Sequence, residues 1–277
     1  MKIRFSKICG CSGDYIFVDN SKAIIKDISS LARKICQYHS GVGGEALVLI
    51  NTDKSADADA ELTVYGADGS KQAMFDNCAL GAAEYLFCQK KILGDMARIK
   101  CGELVKNIKR LKKGILAVDV GTPEFAPEKI PLPIYKKPLI NTLIEVGGGA
   151  VRVNVLKLGN THCVVIKDNL DFLDLPFSGP AFEHCSIFPS GVNTEFIQVI
   201  DKTHLRMRAW EYERGESFGC AASAGAALAA AIANKYCEMD TQVEIILRSG
   251  SVKLMWTQGS ILLTGDAHEV FSGSYNM

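Results

Sequence analysis

Several short stretches of the chain alternate apolar and polar residues with a period of two, and glycine, proline, asparagine and aspartate punctuate them. Glu61-Leu62-Thr63-Val64-Tyr65 alternates in this way and runs into Gly66-Ala67-Asp68-Gly69, which reads as a strand closed by a turn. Residues 15–19 read as another strand, and the wholly apolar run 46–50 as a buried one. Residues 28–38 carry apolar positions at helical spacing and predict an amphipathic helix, and a second helix is expected from about 77 to 90. Further strands precede residues 122–138, which carry five prolines and form a candidate inter-domain linker.

Beyond that stretch the order repeats. Strands are expected around 151–156 and 161–166, a helix-like piece before Phe188, strands at 194–199 and 205–210, and a long helix from 220 to 236. Final strands are expected near 243–247, 252–256 and 261–264. Two halves, each a sheet with a central helix opened by small residues, amount to an internal pseudo-repeat. The expected class is α+β with two pseudo-symmetric lobes. The first covers 1–121, rejoined by a C-terminal strand 265–277, and the second covers 122–264.

Composition narrows the function classes. The 277 residues are 48% hydrophobic, enough for two modest cores, and 31 basic residues balance 31 acidic ones. Without a basic stripe interleaved with aromatics, nucleic acid is not an expected partner; the lysine-rich 106–113 (KNIKRLKK) is read as a solvated strand pair or turn before Gly114. No apolar run approaches the roughly 20 residues that span a bilayer, and the opening MKIRFSKICGCSGDY lacks a signal-peptide core, so a cytoplasmic protein with no membrane partner is expected. Ten cysteines in such a chain are expected to stay reduced, with Cys36, Cys88, Cys163 and Cys237 packed in apolar settings. Neither the Cys9/Cys11 pair nor the five histidines have zinc-site spacing, so no metal is expected. Nothing suggests pyridoxal phosphate, flavin or a nucleotide: Gly147-Gly148-Gly149 lacks a dinucleotide-binding context, and the expected cofactor is none.

The candidate chemistry lies at two helix starts of similar texture, MFDNCALGAA (74–83) and SFGCAASAGA (217–226). A helix N-terminus favours a thiolate, and its free N–H groups can hold a carboxylate on which negative charge builds.

The segments KICGCSGDYIFVD, HSGVGGEALVLI, YGADGS before MFDNCALG, LGNTHCVVI, PSGVNTEFIQV, LRMRAWEYERGESFGCAASAGA and SILLTG, in this order and spacing, resemble the diaminopimelate epimerases over nearly the whole chain. That resemblance implies two lobes, each a strand-rich, barrel-like sheet around a central helix, with the active site in the cleft between them. It implies a cofactor-independent amino-acid racemase or epimerase of the lysine-biosynthesis type, in which two cysteines remove and return an α-proton on opposite faces of the substrate. Its implied partner is a small-molecule amino acid, and a homodimer is compatible with it.

Carried over by position, Cys220 matches the second catalytic cysteine, and His162 and Glu211 match the polar pair that tunes the thiols. Asn77, Asn160 and Asn193 match substrate-binding asparagines, and Asp76, Arg214, Ala221 and Ala222 fall at or beside substrate-binding positions. The first catalytic cysteine is replaced by Phe75, and Cys78 is the candidate substitute. Further departures are Gly13, Ala46, Gly66 and Tyr212 where the family carries polar ligands. The family's Glu-Arg pair is filled either by Glu211-Tyr212 or by Glu213-Arg214. Three readings stay open: an epimerase with Cys78 as second thiol, a one-base isomerase or changed-substrate enzyme using Cys220 alone, and a non-catalytic amino-acid-binding or regulatory protein.

Overall fold

A computed structural model describes residues 2–10, 13–52, 57–72, 76–102, 104–130, 132, 135–217, 220–248 and 250–277, with backbone alone at Asp76, Asn77 and Cys101. The class is α+β, and the chain divides into two units, Met1–Asp119 with Thr264–Met277, and Val120–Leu263. In the first, β1 (Lys2–Gly10), β2 (Gly13–Asp19), α1 (Ile28–Ile35), β3 (Ala46–Asn51), β4 (Ala60–Gly66), β5 (Lys71–Gln72), α2 (Asp76–Cys88), β6 (Met96–Cys101), β7 (Leu104–Lys112) and β8 (Ile115–Gly121) follow in order. The second contains β9 (Thr142–Val146), β10 (Gly149–Leu158), β11 (Asn160–Ile166), α3 (Leu175–Glu183), β12 (Asn193–Asp201), β13 (His204–Glu211), β14 (Gly215–Ser217), α4 (Ala221–Ala233), β15 (Val243–Leu247) and β16 (Gly250–Trp256). A last strand, β17 (Ile261–Asn276), leaves the second unit and pairs antiparallel with β1, from Lys2↔Asn276 to Gly10↔Ala267.

The repeat is visible in the pairing. β1–β2 is antiparallel, β2–β3 parallel, β3–β4 and β4–β5 antiparallel, β4–β6 parallel and β6–β7 antiparallel. The same sequence of senses recurs through β10–β11, β11–β12, β12–β13, β13–β14, β13–β15 and β15–β16. In the first unit the pairings β7–β8, β8–β17 and β17–β1 close the ring, so eight strands form a barrel with no free edge.

A helix enclosed by strands on every side must be thin and apolar all round. α4 meets this with AASAGAALAAAIA, in which Ala221 and every residue from Ser223 to Ala231 are buried. α2 has the same length, 13 residues, and the same small-residue character; Cys78 to Ala83 are fully or almost fully excluded from solvent apart from the glycine in their midst, itself buried. That glycine, Gly81, is required by space: a Cβ there would lie 2.8 Å from the Phe17 ring. Phe17 is held in turn by stacking on Tyr85 at 6.2 Å. Gly81→Val should therefore destabilise the first unit by about 1–3 kcal/mol through overpacking, read as a lowered urea midpoint at unchanged slope; an unchanged midpoint would mean that α2 is loosely held.

The amphipathic helix lies on the outside of its sheet. α1 buries Leu31, Ala32 and Ile35 against Ile16, Val18, Leu47 and Leu49, each large aliphatic side chain contributing roughly 1.5–3 kcal/mol when fully buried. It ends at Ile35, three residues before the expected 38, because Gly41 packs onto its last turn, where a Cβ would stand 2.6 Å from the Ile35 carbonyl oxygen. In the second unit Ile130, Leu132 and Leu139 belong to the core beside Phe182 and Phe196. Ile130 and Leu132 of the proline-rich stretch are thus packed in the second unit, and the unit boundary precedes them. The lysine-rich 106–113 falls on β7 and the turn before β8, where Gly114 has φ +73. Among the described residues, no helix is long and apolar enough to cross a membrane.

Candidate active site

The second unit carries most of the candidate residues, with Cys220, Ala221 and Ala222 at the head of α4. Cys220 is the N-cap of that helix, with extended backbone (φ −122, ψ 172); its Sγ accepts the Ser223 N–H at 3.5 Å, and the thiol donates to Ser223 Oγ at 3.4 Å. Caps are normally oxygen-bearing residues because sulfur accepts weakly, so a thiol here costs helix stability and suits chemistry instead. The far end of α4 is fixed by Asn234, whose Nδ2 donates to the Ala230 carbonyl at 2.8 Å and to buried Asn154 Oδ1 at 2.6 Å.

The helix terminus was expected to bring the thiol toward neutral pH. Burial pushes the Cys220 thiol up, the Glu211 carboxylate adds to that, and the two Ser223 contacts offset them only in part, leaving it at about 11. The ligand-free protein therefore holds Cys220 as the protonated thiol at pH 7, with thiolate on the order of one molecule in 10⁴. Iodoacetamide should alkylate it slowly at pH 7 and about tenfold faster per added pH unit up to that value. Half-maximal rate near pH 7–8 in peptide mass spectrometry would mean that the helix terminus dominates after all.

Glu211 ends β13, buried, directly across from Gly215 of β14. The intervening turn, with Glu213 at φ +60, brings the Arg214 guanidinium to 3.7 Å from Glu211 Oε2. The turn thus closes over the two residues that separate Glu211 from Arg214. Tyr212 is exposed; its N–H donates to Asn193 Oδ1 at 3.0 Å and its ring lies over Gly191, where φ is +79. Asn193 opens β12 and Asn160 opens β11, the latter exposed. Ala221 is buried and Ala222 half-buried in the first turn of α4, where backbone N–H groups lack intrahelical acceptors.

His162 lies on β11 with no solvent exposure, its Nδ1 2.7 Å from Oε1 of equally buried Glu195 on β12. Burial works against a charged imidazole, but the Glu195 carboxylate, its hydrogen bond, the Leu158 carbonyl and the Glu211 charge outweigh burial and raise the His162 pKa. His162 Nε2 and Glu195 Oε2 have no hydrogen-bond partner among the described residues. Nothing in residue spacing singles out Glu195 or Ser223 as site residues. The available signal was a carboxylate inside the otherwise apolar strand segment Thr194-Glu195-Phe196-Ile197.

Phe75 lies outside the described residues, and Asp76 and Asn77 open α2 without described side chains. Counting along the two equal-length helices, Cys78 occupies the step that Ser223 occupies in α4, and it is fully buried. Neighbouring side chains stand close to two of the glycines that fall at positions where the resemblance places polar ligands. A Cβ at Gly13 would collide with the Tyr15 hydroxyl, and one at Gly66 would lie 2.8 Å from Gln72 Nε2.

This fold is also found in solved racemases, epimerases and phenazine-biosynthesis proteins. A hydroxyproline epimerase from Agrobacterium vitis with bound trans-4-hydroxy-L-proline aligns at TM-score 0.67 and 11% identity, covering 99% of this chain and 92% of that one. A PhzF-family phenazine biosynthesis protein from Bacillus anthracis aligns at TM-score 0.69 and 14% identity over 100% of both chains. The diaminopimelate epimerase family model matches residues 154–270. The diaminopimelate epimerase of Desulfovibrio desulfuricans is 34% identical over 99% of this chain and 98% of its own, and that of Pelotomaculum thermopropionicum 31% identical over 99% of each. The chain belongs to the diaminopimelate epimerase family.

Proposed function

We propose that the protein is a cofactor-independent amino-acid epimerase or racemase, with Cys220 exchanging the α-proton. The observation that carries this reading is the Cys220 thiol capping α4 beside Ser223, with the carboxylates of Glu211 and Glu195, partnered by Arg214 and His162, acting on it. In the reading, the substrate carboxylate sits against the first-turn N–H groups of Ala221 and Ala222, where helix-terminal potential stabilises the charge that develops when the α-proton is lost. With Cys220 as the single base, its thiolate takes the α-proton: the C–H bond breaks, its electron pair stays on the α-carbon as a carbanion beside the carboxylate, and the S–H bond forms. The same thiol, or one that has exchanged its proton with solvent, then breaks S–H and returns a proton to the carbanion, which restores the thiolate.

The complete burial of Cys78 and its Ser223-like step favour a packing role over that of second acid–base group. That supports a one-base variant, with Cys220 working alone, as the second reading. The substrate we infer is an amino acid with a less polar side chain than diaminopimelate. Tyr15 and Gln72 fill the space at Gly13 and Gly66, and Ala46 and Tyr212 have removed polar partners that a distal charged head group needs. A cytoplasmic setting, where the free thiols would stay reduced, and a homodimer belong to the same reading.

The test is incubation of the protein in heavy water with L- and D-amino acids, diaminopimelate stereoisomers included. Deuterium should appear at the α-carbon of a less polar amino acid, in product and recovered substrate alike for one base, and ahead in product for two. No exchange with any amino acid sinks the enzyme reading; turnover of diaminopimelate on the order of 10 per second sinks the inferred substrate change.

A further inference from the structure

A buried ion pair is a poor stabilising device, since well-packed apolar residues of similar volume often serve as well or better. His162 and Glu195 are nevertheless paired at 2.7 Å within strands whose other buried positions are largely apolar, Cys163 to Val165 and Phe196 to Ile197. We propose that Glu195 is a positioning residue for proton transfer at Cys220: by holding His162 Nδ1 it keeps the imidazole as a cation. That cation is the counter-charge to carboxylates that act on the half-buried thiol as well.

The inference rests on the epimerase reading and assigns the charge that reading leaves open. When Cys220 gives up its proton, sulfur keeps the bonding pair as a thiolate. Glu211 and Glu195 both oppose that negative charge. With a neutral imidazole, the thiolate would be a third anion accompanied by one cation, Arg214, already beside Glu211. With His162 protonated, each carboxylate has a counter-charge and the thiolate joins a neutral cluster. The groups that act on His162 come from each side: Glu195 on β12, Glu211 on β13 and the Leu158 carbonyl on β10, with Cys220 at the head of α4 subject to the same two carboxylates.

The experiment uses the full-length protein labelled with ¹⁵N-histidine, as wild type, Glu195→Gln and Glu195→Asp. Gln keeps volume and a hydrogen-bond acceptor but no charge, and Asp keeps the charge. The His162 ring nitrogens should report imidazolium at pH 7 in wild type and in Asp, and neutral imidazole in Gln. With the amino acid that wild type exchanges best, Gln should lower the α-proton exchange kcat about 100-fold with KM moved less than about 3-fold. The alkaline limb of its pH profile should also move down, and Asp should restore both. A neutral His162 in wild type overturns the proposal even if Glu195→Gln fails to fold, as does a Gln variant that keeps imidazolium, or one whose KM alone changes. Imidazolium in wild type with no exchange of any amino acid overturns the epimerase reading and the catalytic half of this proposal with it, while leaving the Glu195–His162 charge assignment intact.

Discussion

Cys220→Ala should reduce α-proton exchange by about 10³-fold, with the second unit still folded. In the proposed mechanism Cys220 Sγ is the acid–base atom; it lies at the head of α4 and contacts the first turn directly, whereas buried Ser223 accepts the thiol proton at its Oγ. The cap itself is weak, a 3.5 Å contact from Ser223 N to sulfur, so its loss should cost less than the roughly 1 kcal/mol typical of an oxygen cap. Cys220→Ser sharpens the comparison. Its hydroxyl caps the helix better, so stability should hold or rise, yet an alkoxide is far harder to form than a thiolate and exchange should stay lost. Exchange within tenfold of wild type in both variants would remove Cys220 from the mechanism. Glu211→Gln supplies the complementary sign: losing the charge that pushes the thiol up should bring Cys220 down from about 11 and speed its alkylation at pH 8, even as exchange falls.

Much of this arrangement was legible in the sequence because the two halves repeat one order of elements. The period-two run 61–65 located β4, the apolar run 46–50 located β3 and the stretch 243–247 located β15, each nearly to the residue, and the small-residue run after Cys220 located α4, since only such a run lets strands close around a helix. The reading of helix ends was less accurate. It carried α1 to 38 and α4 to 236, because tertiary contacts at Gly41 and Asn234, invisible to periodicity, stop them earlier. The electrostatics were least legible. A helix-terminal cysteine read alone suggests a lowered pKa, but the structure adds burial and a carboxylate at the end of β13, and these win. Glu195 escaped notice because its partner is 33 residues away, brought close only by the parallel β11–β12 register His162↔Asn193. Cys78, the candidate substitute for the first thiol, is fully buried at the step of α2 that Ser223 holds in α4, three residues past the cap position that Cys220 holds.

His162→Leu should destabilise the second unit by about 3–5 kcal/mol, because it strands the Glu195 carboxylate in a site with no solvent exposure. Both tryptophans, Trp210 and Trp256, lie in this unit, so their fluorescence during urea unfolding reports it selectively. Replacing both partners, His162→Leu with Glu195→Leu, removes the stranded charge and should recover stability to within about 1–2 kcal/mol of wild type or better, giving a large coupling energy in the double-mutant cycle. The pH dependence has a fixed sign. The folded His162 pKa is raised above 6.5, so its contribution is complete below about 6.5 and is lost as pH climbs through the raised folded value. Wild type should therefore lose stability on the alkaline side, and the double variant should lack that limb. A single His162→Leu variant as stable as the double one would mean that Glu195 finds another partner or is neutral in the fold. The ion pair would then have no hold on the imidazole's charge.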